Sequence, residues 1–229
     1  MFSNHLELEQ LLLSYQDLQY QTFLKRSIPN YPDIIGIRMT QLHLLSKQIV
    51  KENREMFYQV YRAKSHEERL LYGLCISQAK QDKETYLKQI KSFLPYINNW
   101  AICDSAIASF KFIKNDLTYY HDFVMHCCES DNPWIIRFSL ITLLNYYHQN
   151  KYLDEQLEII NKITDDSYYV RMGIAWLLSM LYVLNQEKII LYLKQDNLDV
   201  FTHNKTIQKI IESRQVRFSD KEIIRKLKR

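Results

Sequence analysis

Polar starts followed by apolar stripes of helical spacing recur along this chain. Asp131-Asn132-Pro133 offers a capping side chain and then Pro, which the first turn of a helix tolerates. Apolar residues follow at three- and four-residue spacing: Ile136, Leu140, Leu143, Leu144 and Tyr147. The polar run His148-Gln149-Asn150 is a turn, and a second helix is predicted over residues 153–163.

This two-helix pattern repeats. Sliding the chain by 34 residues aligns His66, Trp100, Trp134 and Tyr168, and three residues on, Arg69, Cys103, Arg137, Arg171 and Lys205. Asp131 and Asp165 stand six residues before Arg137 and Arg171. A fixed period of this length marks stacked helical hairpins, none of which buries its apolar face alone. The expected fold is all-α, an α-α superhelix of HEAT-like hairpin repeats. Twelve or thirteen helices should form one domain over residues 1–229 with a concave face.

Composition supports that reading. Only 3 Gly and 4 Pro occur among 229 residues, which favours helices joined by short turns over sheets and long loops. The 17 Tyr and 10 Phe supply apolar surface for a core. Cys75, Cys103, Cys127 and Cys128 form no C-x-x-C pair, so they are expected as small buried thiols in a reducing compartment. No signal-peptide pattern opens the chain, and the apolar segment from Met172 to Leu184 is too short for a membrane span. A cytoplasmic protein without membrane contact is expected, and a monomer.

Charge is uneven. From His203 to Arg229 there are nine Lys or Arg against three Asp or Glu, so this segment carries +6 of a chain total of +4. A polyanion partner would suit that end. The Arg series admits two readings. Asp and Arg could pair as a ladder between neighbouring repeats, or the cations could form a stripe suited to phosphates.

No metal cluster, Gly-rich phosphate loop or Ser-His-Asp motif is present, and the seven scattered His are expected at the surface or in packing. One constellation does suggest chemistry: Asn98-Asn99-Trp100-Ala101-Ile102-Cys103-Asp104-Ser105. Trp100 and Asp104 are one helical turn apart and share a face. In the repeat register Asp104 takes the slot of Leu70, Phe138 and Met172, so a carboxylate stands where other repeats put an apolar side chain. Conflict of that kind tends to mark function. The alternative is a structural ion pair between Asp104 and Arg137.

These residues resemble the DNA alkylation repair family of HEAT-like DNA glycosylases. The family's signature Trp and Asp, three residues between them, match Trp100 and Asp104. Arg137 fits its Arg, and Trp176 in Tyr169-Val170-Arg171-Met172-Gly173-Ile174-Ala175-Trp176 fits its second Trp. Gly36-Ile37-Arg38-Met39 and the segment from Asn204 to Ser213 agree as well, so the resemblance spans nearly the whole chain. It implies hydrolytic excision of N3- or N7-alkylated purines from double-stranded DNA, without metal or organic cofactor. Asp104 would stabilise the cationic sugar, Trp100 and Trp176 would pack on sugar and base, and Arg137 would hold a phosphate. Arg69, Arg171, Lys205 and Lys209 are the expected DNA-binding cations.

The chain also departs from the family. Phe138 follows Arg137 where a second Arg is common, Met172 follows Arg171 where Lys is common, and Ala101 replaces an acid. Ser179 and Met180 stand near a position that is often Arg. Two alternatives therefore stay open: a non-catalytic member that binds damaged or branched DNA, and a helical-repeat scaffold for a protein partner.

Overall fold

The structure, a computed structural model, describes residues 1–229 and contains helices and turns but no strand. The all-α helical-repeat class is thus correct. The chain forms two compact units, Met1–Phe112 and Ile113–Arg229. The first holds α1 (His5–Leu13), α2 (Leu18–Ser27), α3 (Met39–Glu52), α4 (Arg54–Val60), α5 (His66–Gln78), α6 (Lys83–Phe93) and α7 (Trp100–Ser109). The second holds α8 (Leu117–Cys127), α9 (Pro133–Tyr146), α10 (Leu153–Lys162), α11 (Tyr168–Leu184), α12 (Gln186–Lys194), α13 (Val200–Glu212) and α14 (Phe218–Arg225).

The repeat register is visible in these boundaries: α5, α7, α9, α11 and α13 begin at His66, Trp100, Pro133, Tyr168 and Val200. In the first unit α5 packs between α3 and α7, and in the second α11 packs between α9 and α13. The helices start where capping side chains stand. Asn4, Asp17, Ser65, Asp82, Asn99, Asp116, Asn132, Asn185 and Asp199 each accept backbone N–H groups of the turn they open. Such caps stabilise a helix by about 1 kcal/mol each. There are fourteen α-helices, more than the twelve or thirteen expected. Single residues with extended φ, Asn53 (φ −149°) and Asn185 (φ −150°), separate α3 from α4 and α11 from α12. Apolar spacing cannot register a break that short.

Each unit has its own core. In the first, Phe57, Tyr61, Tyr72, Phe93 and Phe110 form a continuous aromatic cluster between the hairpins. In the second, Phe138, Leu140, Leu143, Val170, Leu177, Leu181 and Ile207 are fully buried. All four Cys are buried thiols outside any disulfide, as expected.

Two adjacent acids at the start of α5 tie the loops of the first unit to it. The Glu67 carboxylate accepts N–H groups from Ile35, Gly36 and Ile37 at 2.9, 2.7 and 3.3 Å. The Glu68 carboxylate does the same for Arg62, Ala63 and Lys64. Burial pushes the Glu67 carboxyl above its usual range, against the pull of its amide donors. Gly36 is needed in this arrangement. Its φ is +94°, and a Cβ there would lie 2.5 Å from Gln21 Cβ and 2.7 Å from the Asp17 carbonyl oxygen.

Candidate active site

Helix α7 begins at the Trp–Asp constellation, and its first turn is tightly fixed. Asn99 is 3 % exposed; its Oδ1 accepts the N–H groups of Ala101 and Ile102 at 3.0 and 3.1 Å. Its amide nitrogen donates to His66 Nδ1 at 3.3 Å, which requires that ring nitrogen to be unprotonated. Burial, with Arg69 nearby, holds the His66 pKa down to about 4, so the ring stays neutral. Asn98 donates to the Tyr31 hydroxyl at 2.9 Å, and Arg69 donates to the same hydroxyl from α5. Arg69, Tyr31, Asn98, Asn99 and His66 thus form one hydrogen-bonded chain behind the start of α7.

Trp100 is half-buried. Its indole N–H donates to the Ser27 carbonyl at 3.1 Å, and its ring packs on Leu24, Ile28, Ile34 and Ala101 beside Tyr20 and Tyr31. One turn on, Asp104 is also half-buried. Of its counterparts in the register, Leu70 and Phe138 are 1 % and 0 % exposed, and Met172 is half-buried as Asp104 is.

The other expected site residues lie in the second unit. Arg137 on α9 is only 5 % exposed and donates to the Tyr169 carbonyl at 2.7 Å. Gly173 of α11 lies close to α9, where a Cβ would sit 3.1 Å from Leu140 Cδ1. Arg171 lies 3.7 Å from the Asp199 carboxylate, a rung between α11 and α13 of the ladder type. Its guanidinium also lies 4.6 Å from the Phe201 ring, with the Lys205 ammonium 5.9 Å from the same ring. Trp176 is half-buried on α11, and the Lys209 ammonium stands 5.5 Å from its ring.

Trp100, Asp104 and, through Tyr31 and Asn98, Arg69 are therefore brought together in one unit. Arg171 joins Lys205 across Phe201, and Trp176 joins Lys209, in the other. Sequence reasoning missed the support given to α7 by Tyr31 and His66. The one available signal was that His66 occupies the Trp100 slot of the preceding repeat. No three His, Cys, Asp or Glu residues group closely enough to hold a metal ion. No helix is long and apolar enough to cross a membrane.

A helical-repeat protein with an aromatic–carboxylate face and cations stacked on aromatic rings is suited to holding a nucleic acid. The family model described as DNA alkylation repair enzyme matches residues 8–212, and the chain belongs to that family. Its role is in DNA repair, with DNA as its partner. No curated protein matches the chain.

Proposed function

We propose that this protein excises N3- and N7-alkylated purines from double-stranded DNA by hydrolysis of the N-glycosidic bond. The observation that carries the proposal is the face of α7. Trp100 and Asp104 stand one turn apart on a firmly capped helix, and the carboxylate occupies a slot that is buried and apolar at Leu70 and Phe138.

The chemistry asks little of the protein. An alkylated purine already bears a positive charge, so it departs with the glycosidic electron pair and becomes neutral without a general acid. The sugar left behind is oxocarbenium-like, and a carboxylate both stabilises it and orients the attacking water. Water adds to C1′, its proton passes to Asp104 or solvent, and the products are a free base and an abasic sugar. The face of Trp100 suits an electron-poor sugar or a cationic base. Arg137, 5 % exposed, holds the Tyr169 carbonyl and so α11. Within the second unit, Arg171, Lys205 and Lys209 are the cations suited to phosphate contact.

One observation favours a second reading, DNA binding without excision. Phe138, which follows Arg137 where a phosphate-binding Arg is common in the family, is fully buried and cannot anchor a strand. The deciding experiment incubates the protein with methylated duplex DNA and follows free 7-methylguanine and 3-methyladenine by chromatography. Release above the spontaneous rate supports excision. Binding without release supports the second reading, and absence of binding at low salt leaves a protein scaffold.

A further inference from the structure

The first unit carries a second feature on α7 that the Trp–Asp pair does not use. Along α3, Met39, His43 and Lys47 recur every fourth residue and so share one face. They form one wall of a groove of about 630 Å³. Ser77 and Gln78 of α5 line its floor, and Ser105, Ala108 and Ser109 of α7, with Lys111 and Phe112, form the other wall. No carboxylate lines it, whereas Lys47 and Lys111 are exposed and enter no ion pair. The wall at Phe112 is firm, since that ring stacks on Tyr86.

Position along α7 links the groove to the proposed chemistry. Trp100, Asp104 and Ala108 are spaced by four residues, so the face that bears the carboxylate continues into the groove. Ala108 lies one turn beyond Asp104, about 6 Å along the helix axis. A DNA strand advances roughly 3.4 Å per nucleotide along its own axis. A sugar held at Asp104 therefore has phosphates within a nucleotide or two that can reach this groove.

We propose that the groove between α3, α5 and α7 binds the phosphate backbone of the DNA strand whose sugar faces Asp104. Lys47 and Lys111 supply the charge from opposite walls, and His43 with the Ser105 hydroxyl supplies hydrogen bonds to phosphate oxygens. This inference rests on the excision reading, or at least on its DNA-binding half. It gives the first unit its own strand grip, apart from the cations of α11 and α13. A free nucleotide presents the same phosphate chemistry, so the test separates the two sources.

The experiment measures binding of the full-length protein to a short 7-methylguanine-containing duplex across a salt series. It compares the parent, Lys47→Ala/Lys111→Ala, and a control, Lys25→Ala/Lys88→Ala, with the same change in net charge at exposed positions. The groove variant should lose about tenfold or more in affinity near 0.1 M salt, with a salt slope shallower by about 1–2. The control should follow the parent, and all three should melt alike. Equal slopes in the groove variant and the parent overturn the inference while leaving the proposed function intact. Equal losses in the groove variant and the control also overturn it, as a general charge effect. A parent that binds no duplex at low salt overturns both. Titration with deoxyadenosine monophosphate completes the test. Tight binding of the mononucleotide that the groove variant loses, with DNA affinity unchanged, reassigns the groove to free nucleotides and overturns the strand assignment.

Discussion

Replacing Asn99 with Ala should destabilise the first unit well beyond the loss of an ordinary cap. Two connections fail together. The Asn99 side chain accepts two backbone N–H groups at the start of α7, and removing such a cap costs about 1–2 kcal/mol. It also donates to the buried His66 Nδ1, and a buried acceptor left without its donor costs about 1–3 kcal/mol more. Asn99 is 3 % exposed, so water can replace neither partner without opening the structure. The sum, about 2–5 kcal/mol, corresponds to a melting temperature roughly 5–15 °C lower in a chain of this size. Urea unfolding followed by circular dichroism measures it. Asn99→Asp serves as the comparison, since it keeps the cap but not the donor, and should fall between parent and Ala variant. A loss below about 0.5 kcal/mol in Asn99→Ala, typical of a plain surface change, would refute the reasoning.

Other outcomes follow from the same geometry. His66 has its folded pKa depressed to about 4, so its contribution to stability is complete above its unfolded pKa near 6.5 and is lost as pH falls towards 4. The loss should approach roughly 3 kcal/mol, and urea midpoints for the parent and His66→Gln at pH 7, 5.5 and 4.5 should converge as pH falls. Gly36→Ala should cost about 2–4 kcal/mol in the same assay, because its φ is positive and a Cβ would press on Gln21 and the Asp17 carbonyl; a neutral result would show that the loop relaxes. Lys205→Ala/Lys209→Ala should flatten the salt dependence of duplex binding by about 1–2 in slope, and an unchanged slope would remove α13 from the DNA contact.

Much of the fold was legible because helical repeats write their period into the sequence. The 34-residue register anticipated the starts of α5, α7, α9 and α11, and Asp131-Asn132-Pro133 did open α9. Divisions at Asn53 and Asn185 escaped, since one residue leaves the apolar spacing intact on both sides. Glu67 and Glu68 read as ordinary acids in a helix's first turn. Only the loops folding back on α5 turn them into acceptors for three amides each. The same limit applies to Arg137, which looks like a surface cation in sequence. Its burial, with the hydrogen bond to the Tyr169 carbonyl of α11, is a tertiary fact no local pattern carries. The pairing of Trp100 with Asp104 was legible because both lie within one turn of one helix.

The most direct test of the central claim is the single-turnover rate of 7-methylguanine release from methylated duplex DNA by the parent and by Asp104→Asn. The substitution keeps the side chain's shape and removes the negative charge assigned to the oxocarbenium-like sugar. Loss of one such electrostatic partner typically slows a reaction on the order of a hundredfold or more. Asp104→Asn should show a fall of about that size, with duplex binding and melting temperature close to those of the parent. Release by Asp104→Asn at the parent's rate would contradict the claim.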